Sequence, residues 1–391
     1  MNVLPSRRGL TRLVLCVSLL SLAGCGTLGG WFGGAAPKVK PAELTAFQET
    51  ARLTRLWDLN VGPGQPYALT PAADGQAIYA ASREGRIVRI DAATGRELGR
   101  VESSKRLSGG VGVGAGLVLV GTPKGELLAW RTADGQLAWT AQLSGEILTP
   151  PIVQGNLVIA RGNDGKVWAL DAADGRRRWV YSRALPALAL REPSSLVADA
   201  RAVYAGFPGG RLVALSLANG APLWETNVAL PRGATDLERI ADVTGALALN
   251  ERQVCAAAYQ GRLACFDRLS GQNLWSREVS ALRGVASDAR QLYLADASDS
   301  VQSFDRDRGV SPWKQDKLRD RRLATPLPLG RYVAVGDYQG YVHLLDSETG
   351  AFAARAATDG SAIVAPMLAT PQGLIVQTAN GGVFAFALAE R

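Results

Sequence analysis

One segment of the chain keeps returning. It is clearest as Gly165-Lys166-Val167-Trp168-Ala169-Leu170-Asp171-Ala172-Ala173-Asp174-Gly175, with Trp179 four residues further on. Aligned on Asp171, the other copies have anchors at Asp91, Arg131, Ser216, Asp267, Asp305, Asp346 and Ala387, which makes eight in all. Self-similarity at a period of roughly 40 residues constrains the fold more than any local propensity. Each copy is a supersecondary unit that buries its apolar faces only by stacking on the next.

Within a copy each position has a physical task. Six residues before the anchor, seven of the eight copies carry glycine, from Gly85 to Gly381, with Asp299 the exception. A tight hairpin needs a residue there that tolerates positive φ. Four before the anchor the residue is always aliphatic, as in Ile87, Val167 and Leu263. One before, it is large and apolar; two before, it is mostly small, as in Ala129, Ala169 and Ala214. Apolar residues on both faces predict a strand sandwiched between sheets.

A second glycine follows the anchor by four residues in seven copies, from Gly95 to Gly350. The anchor carboxylate is placed to accept backbone N–H groups in that turn. Four residues beyond stand Trp139, Trp179, Trp224, Trp275 and Trp313, with Gly99 and Ala354 in the remaining two copies. Each unit therefore reads as four strands, the blade of a propeller. The tryptophan is expected to dock on the small residue of a neighbouring blade. The eighth copy reaches Arg391 without its outer strand, and Thr54–Asn60, with Trp57 in the tryptophan slot, supplies one. The expected fold is all-β: an eight-bladed β-propeller over residues 53–391, closed by pairing N- and C-terminal strands.

Ahead of the repeat lies an export signal, residues 1–24. Arg7, Arg8 and Arg12 precede the apolar run Leu13–Leu22, which is too short to span a bilayer. Leu22-Ala23-Gly24-Cys25 resembles a lipobox, which implies acylation of Cys25; Gly26 after it implies the outer membrane of a Gram-negative cell. Residues 25–52 then form a glycine-rich tether, with a short helix expected over Pro41–Arg52.

The formal charge of +8 falls to +5 once the three signal arginines are removed. That is mild for 367 residues and implies no nucleic-acid partner. A single histidine, His343, excludes a two-histidine zinc site and leaves little room for Ser-His-Asp chemistry. It sits in mid-strand, in a slot that Val88, Leu128 and Trp168 fill elsewhere. No cofactor and no metal are expected.

The motif Ala-Leu-Asp, then Gly and Trp at fixed offsets, resembles the quinoprotein-type propeller repeat over residues 53–391. Two branches carry it. The quinone-dependent dehydrogenases imply a Ca²⁺ site, an acidic base and a cofactor slot, and many members carry adjacent cysteines, which this chain lacks. The other branch is the BamB family of lipoproteins, a part of the machinery that assembles outer-membrane β-barrels. The lipobox, the tether and eight copies fit that branch.

The two long repeat spacings, 45 and 51 residues, are consecutive and place insertions after Trp179 and Trp224. Both fall in blade-to-blade connections on the face opposite the Asp-supported turns, a suitable docking surface. The first contains Leu188-Ala189-Leu190-Arg191-Glu192-Pro193, which resembles the Leu-x-Leu-Arg segment with which the BamB family binds the POTRA domains of BamA. The resemblance implies partner contacts by Leu188, Leu190 and Arg191. Alternatively, the two leucines begin the inner strand of the next blade. The second insertion ends on Asp242-Val243-Thr244, where the family has Asp-x-Asp; Asp242 matches, which implies that it too contacts the partner, and Thr244 departs. Asp236 and Glu238 are nearby alternatives. The resemblance thus implies a non-catalytic periplasmic scaffold. Separately, the eight outer strands expose backbone edges to which strands of unfolded outer-membrane proteins, as further partners, are able to pair.

Cys255 and Cys265 flank the Gln260-Gly261 hairpin at nearly opposed positions. Buried free thiols are the expected state, and a cross-strand disulfide is the alternative in an oxidising compartment.

Overall fold

The computed structural model describes residues 40–390. Eight four-stranded antiparallel sheets follow one another along the chain. Blade 1 runs from Ala72 to Glu102, blade 2 from Gly109 to Gln142, blade 3 from Ile152 to Ser182 and blade 4 from Leu196 to Asn227. Blades 5, 6 and 7 span Ala248–Glu278, Ala286–Gln315 and Leu327–Ala357. Blade 8 joins both ends of the ring: the outer strand Ala51–Asn60 pairs antiparallel with Gly382–Glu390. The eight-bladed β-propeller and its mixed closing blade are as the repeat requires.

The anchors behave as turn supports. Asp91 Oδ1 accepts from the backbone N–H of Thr94 at 2.8 Å, Asp267 Oδ1 from Ser270 at 2.8 Å, and Asp305 Oδ1 from Arg308 at 2.7 Å. In blade 2 the anchor is Arg131, and Asp134 takes over by accepting from the N–H of Gln136 at 3.0 Å.

The tryptophans dock differently from expectation. Trp139, Trp179, Trp224, Trp275 and Trp57 lie directly opposite Ala129, Ala169, Ala214, Cys265 and Ala385 of their own blade. The large and small positions are cross-strand partners within one sheet. What receives the ring in the next blade is the second turn glycine. A Cβ on Gly220 would stand 2.5 Å from the Trp179 ring, and its φ of +72° disfavours any side chain there. The indole Nε1 then donates to a backbone carbonyl just before that glycine: Trp179 to Leu217 at 2.8 Å, Trp57 to Ala92 at 3.0 Å. Blade pairs enclose separate apolar clusters, so the core is a ring of inter-blade layers.

Two other expectations are corrected. Pro41–Arg52 is not a helix; residues 41–49 are irregular, and Ala51 already belongs to the closing strand. Tertiary contacts override the local preference: Ala42 N–H donates to Arg319 O at 2.9 Å, and Phe47 stacks on Phe352 at 5.3 Å. Cys255 and Cys265 are not free thiols but a disulfide. They are direct cross-strand partners with Cα atoms 4.1 Å apart, the close spacing of a non-hydrogen-bonded antiparallel pair. Unfolding without reductant should expose no thiol from either residue in a titration; two thiols would contradict the bond. Closing a loop of sequence separation 10 should contribute about 2–3 kcal/mol, read as the stability lost on reduction.

Candidate partner-binding site

In an antiparallel blade the turns alternate between two rims. Blade-to-blade connections therefore share a rim with the hairpins between second and third strands. The connections Ser182–Leu196 and Asn227–Ala248 both belong to that rim. The inner strand of blade 4 begins at Leu196, so Leu188, Leu190 and Arg191 precede it and stand in the connection.

Leu188 is 48% exposed, an apolar side chain with no burial to explain it. Leu190 is half-buried. Arg191 projects from the same turn with its side chain 55% exposed. Its Nη2 and Nε donate to both carboxylate oxygens of Glu146 at 2.6 and 3.1 Å, and its guanidinium lies over the Tyr67 ring at 5.6 Å. The Glu146 carboxylate holds the Arg191 pKa above its ordinary value. Glu146 comes from the connection between blades 2 and 3, 45 residues upstream, and no local spacing in the sequence links it to Arg191.

Asp242 is 1% exposed. Its Oδ2 accepts from Leu190 N–H at 2.7 Å and its Oδ1 from Gly209 N–H at 3.0 Å. One carboxylate thus ties the first insertion, the second insertion and the Pro208–Gly210 hairpin together. Its contribution is to fix the backbone beneath Leu190. Charge-assisted bonds from two backbone donors suit that task. Thr244, where an acid would complete the family pattern, is also buried, and its hydroxyl donates to Leu282 O at 2.7 Å.

The base of the first insertion is held by a residue that sequence reasoning missed. Arg161 is 3% exposed, and its Nη1 donates to Ser194 O at 3.1 Å, Ser194 Oγ at 2.9 Å and Gly206 O at 2.7 Å. Burial pushes its pKa down to about 10. Glu192 adds a tie to Arg283 at 2.5 Å. The second insertion is exposed from Leu230 to Arg239, with Leu237 66% accessible. There Glu238 Oε2 accepts from the N–H groups of Ala234 and Thr235 at 2.8 and 3.1 Å, so its carboxylate closes a local turn. Asp236 stands 3.9 Å from Arg239 on the same turn. Cys25 lies outside the described residues.

Residues 83–315 match the family described as outer membrane protein assembly factor BamB. The chain is 42% identical over 348 residues to the assembly factor BamB of Burkholderia pseudomallei, covering 88% of this chain and 91% of that one. The chain belongs to the BamB family. It is also 38% identical over 388 residues to BamB of Nitrosomonas eutropha, covering 96% and 95%. The crystal structure of BamB from Moraxella catarrhalis superposes with a TM-score of 0.79 at 28% identity, over 86% of this chain and all of that one. A quinohemoprotein alcohol dehydrogenase from Pseudomonas putida shares the fold alone, at 14% identity and a TM-score of 0.68 over 84% of this chain and 72% of that one. The dehydrogenase branch of the repeat is therefore a distant relation, and this BamB-family propeller is an outer-membrane protein assembly factor.

Proposed function

We propose that this chain is a non-catalytic scaffold, anchored in the outer membrane through acylated Cys25 and facing the periplasm. It binds POTRA domains of a BamA-like barrel protein through Leu188, Leu190 and Arg191. Asp242 is the positioning residue of that surface. The observation that carries this reading is the pair of bonds that the Leu190 and Gly209 N–H groups donate to Asp242, which ties the two insertions to each other and to a blade hairpin. On that surface an exposed leucine stands beside a forked cation, the composition of an interface anchor. A rigid loop also loses less entropy on binding.

Co-purification from cells tests it. Wild type should recover a BamA-like barrel protein, and Arg191→Glu should recover at least tenfold less while keeping the wild-type circular dichroism spectrum. Asp242→Asn keeps the size, but its amide nitrogen cannot accept, so one backbone bond is lost and the other loses its charge; an intermediate loss is expected. Absence of such a partner from the wild-type sample would overturn the proposal.

A further inference from the structure

The tryptophan slot is filled at seven of the eight blade boundaries. Six carry the indole itself. At the seventh, between blades 7 and 8, Ala354 is 1% exposed and shares a cluster with Phe386, against which Leu53 of the closing strand packs. Only the boundary between blades 1 and 2 is open. There Gly99 takes the place of tryptophan and is itself exposed.

The pair has been exchanged as well as reduced. Where the tryptophan is present it faces a small residue, and Ala354 of blade 7 faces Leu344; here Gly99 faces Arg89. Arg89 Nη1 reaches Thr132 O at 3.3 Å. Thr132 follows anchor Arg131, so its carbonyl corresponds to those of Ala92, Ala172 and Leu217, which take the indole N–H at 2.8–3.0 Å at other boundaries. The arginine stands in for the hydrogen bond but not for the ring. What remains is a partly open cavity of about 200 Å³, walled by Val101, Val118, Trp130 and the turn glycine Gly135, with Arg89, Arg100 and the Arg131–Asp134 ion pair also in its lining. A Cβ on Gly135 would meet only Val101, at 3.6 Å, whereas the equivalent glycines have an indole against them. Arg89 Nε, buried at this site, has no acceptor. An apolar cavity of ~150 Å³ already suffices to hold a benzene ring, and one with a few fixed polar groups has the makeup of a ligand site.

We propose that this cavity is a binding site for an indole group: a flat bicyclic aromatic whose N–H donates to Thr132 O. The chain's own repeats define the occupant, since six indoles already sit in the same frame. The group comes either from a free small indole or from a tryptophan side chain of a polypeptide.

The test uses the full chain in lipid nanodiscs, with empty nanodiscs as the blank, titrated with 3-methylindole and with N-acetyltryptophanamide. Saturable binding with a dissociation constant on the order of 1 mM or tighter is expected. Binding of 3-methylindole alone assigns a free indole; binding of the amide assigns a tryptophan side chain. 1,3-Dimethylindole, which lacks the N–H, should bind at least several-fold more weakly. Gly99→Trp should abolish binding and raise the melting temperature by filling the slot. Should that variant fail to fold, nuclear Overhauser contacts from the bound probe to the Val101 and Val118 methyls in wild type locate it. Neither probe binding, equal binding by Gly99→Trp, equal binding by the dimethyl compound, or contacts elsewhere would each overturn the assignment.

Discussion

Asp337→Ala is expected to lower stability by about 3–5 kcal/mol, the cost of leaving a buried charge without its partner. Asp337 is 0% exposed and lies 2.7 Å from Arg321, itself 3% exposed. Its other oxygen accepts from the N–H groups of Gln339 and Tyr341 at 2.9 and 3.0 Å. Removing the carboxylate strips the Arg321 guanidinium of its charge partner, leaving it only the Ala42 and Gln339 oxygens, and leaves two backbone donors and His343 Nε2 unpaired in the core. Urea unfolding reads the loss, and a change below about 1 kcal/mol would contradict this account.

The same cluster gives the chain a pH dependence. His343 Nε2 lies 2.9 Å from Asp337 Oδ2, and its Nδ1 accepts from Arg355 Nε at 3.1 Å. A ring that accepts at Nδ1 is neutral and donates at Nε2. Burial holds the His343 pKa below its ordinary 6.5, against the pull of Asp337. Burial also opposes ionisation of Asp337, yet bonds from His343, Tyr341 and Arg321 leave its pKa below the usual carboxylate range. The folded state therefore takes up a proton on His343 less readily than the unfolded chain. Its stabilising contribution is complete above pH 6.5 and is lost as pH falls below it, by at most about 1.4 kcal/mol per pH unit. The Asp337 contribution persists down to about pH 3.8 and is lost below that. His343→Gln should flatten the fall that sets in below pH 6.5; an unchanged slope would contradict the assignment.

Trp179→Ala should cost a further large sum, about 3–5 kcal/mol. The ring is 7% exposed, packs on Gly220 of blade 4 and hydrogen-bonds Leu217 O. Its loss opens a cavity between two blades and orphans a buried carbonyl. Leu98→Ala is the contrast: Leu98 sits on an outer strand at 40% exposure, and about 0.5 kcal/mol or less is expected. Equal effects of the two variants in thermal unfolding would show that the repeated tryptophan is not what joins the blades.

The ring was legible because its evidence is periodic. Glycines at turn positions, aliphatic strand residues and anchor aspartates recur in register, and Trp57 announced the closing strand. The direction in which the tryptophan docks was not legible. A large-small repeat looks the same whether Ala169 lies across the sheet from Trp179 or across the blade boundary. Pairing register decides that, and register is a tertiary fact. The same limit hid the ion pair between Glu146 and Arg191. It also hid the burial of Asp242, which as a sequence letter resembles the exposed Asp236. Cys255 and Cys265 stood at nearly opposed positions by sequence. Their exact pairing needed the register of one hairpin, and with it the disulfide replaced the free thiols.

In the proposed complex Leu188 and Arg191 contact the partner directly, while Asp242 and Glu146 only support them. Calorimetric titration of purified POTRA domains into the full chain, wild type and variants, tests this most directly. Leu188→Asp and Arg191→Ala should each weaken binding at least tenfold, about 1.4 kcal/mol. Glu146→Gln, which removes the intramolecular charge partner but leaves the arginine in place, should stay within about threefold of wild type, well under 1 kcal/mol. Wild-type affinity in Leu188→Asp and Arg191→Ala would contradict the account. So would a loss in Glu146→Gln as large as that in Arg191→Ala, because Arg191 would then act only by bracing its own loop.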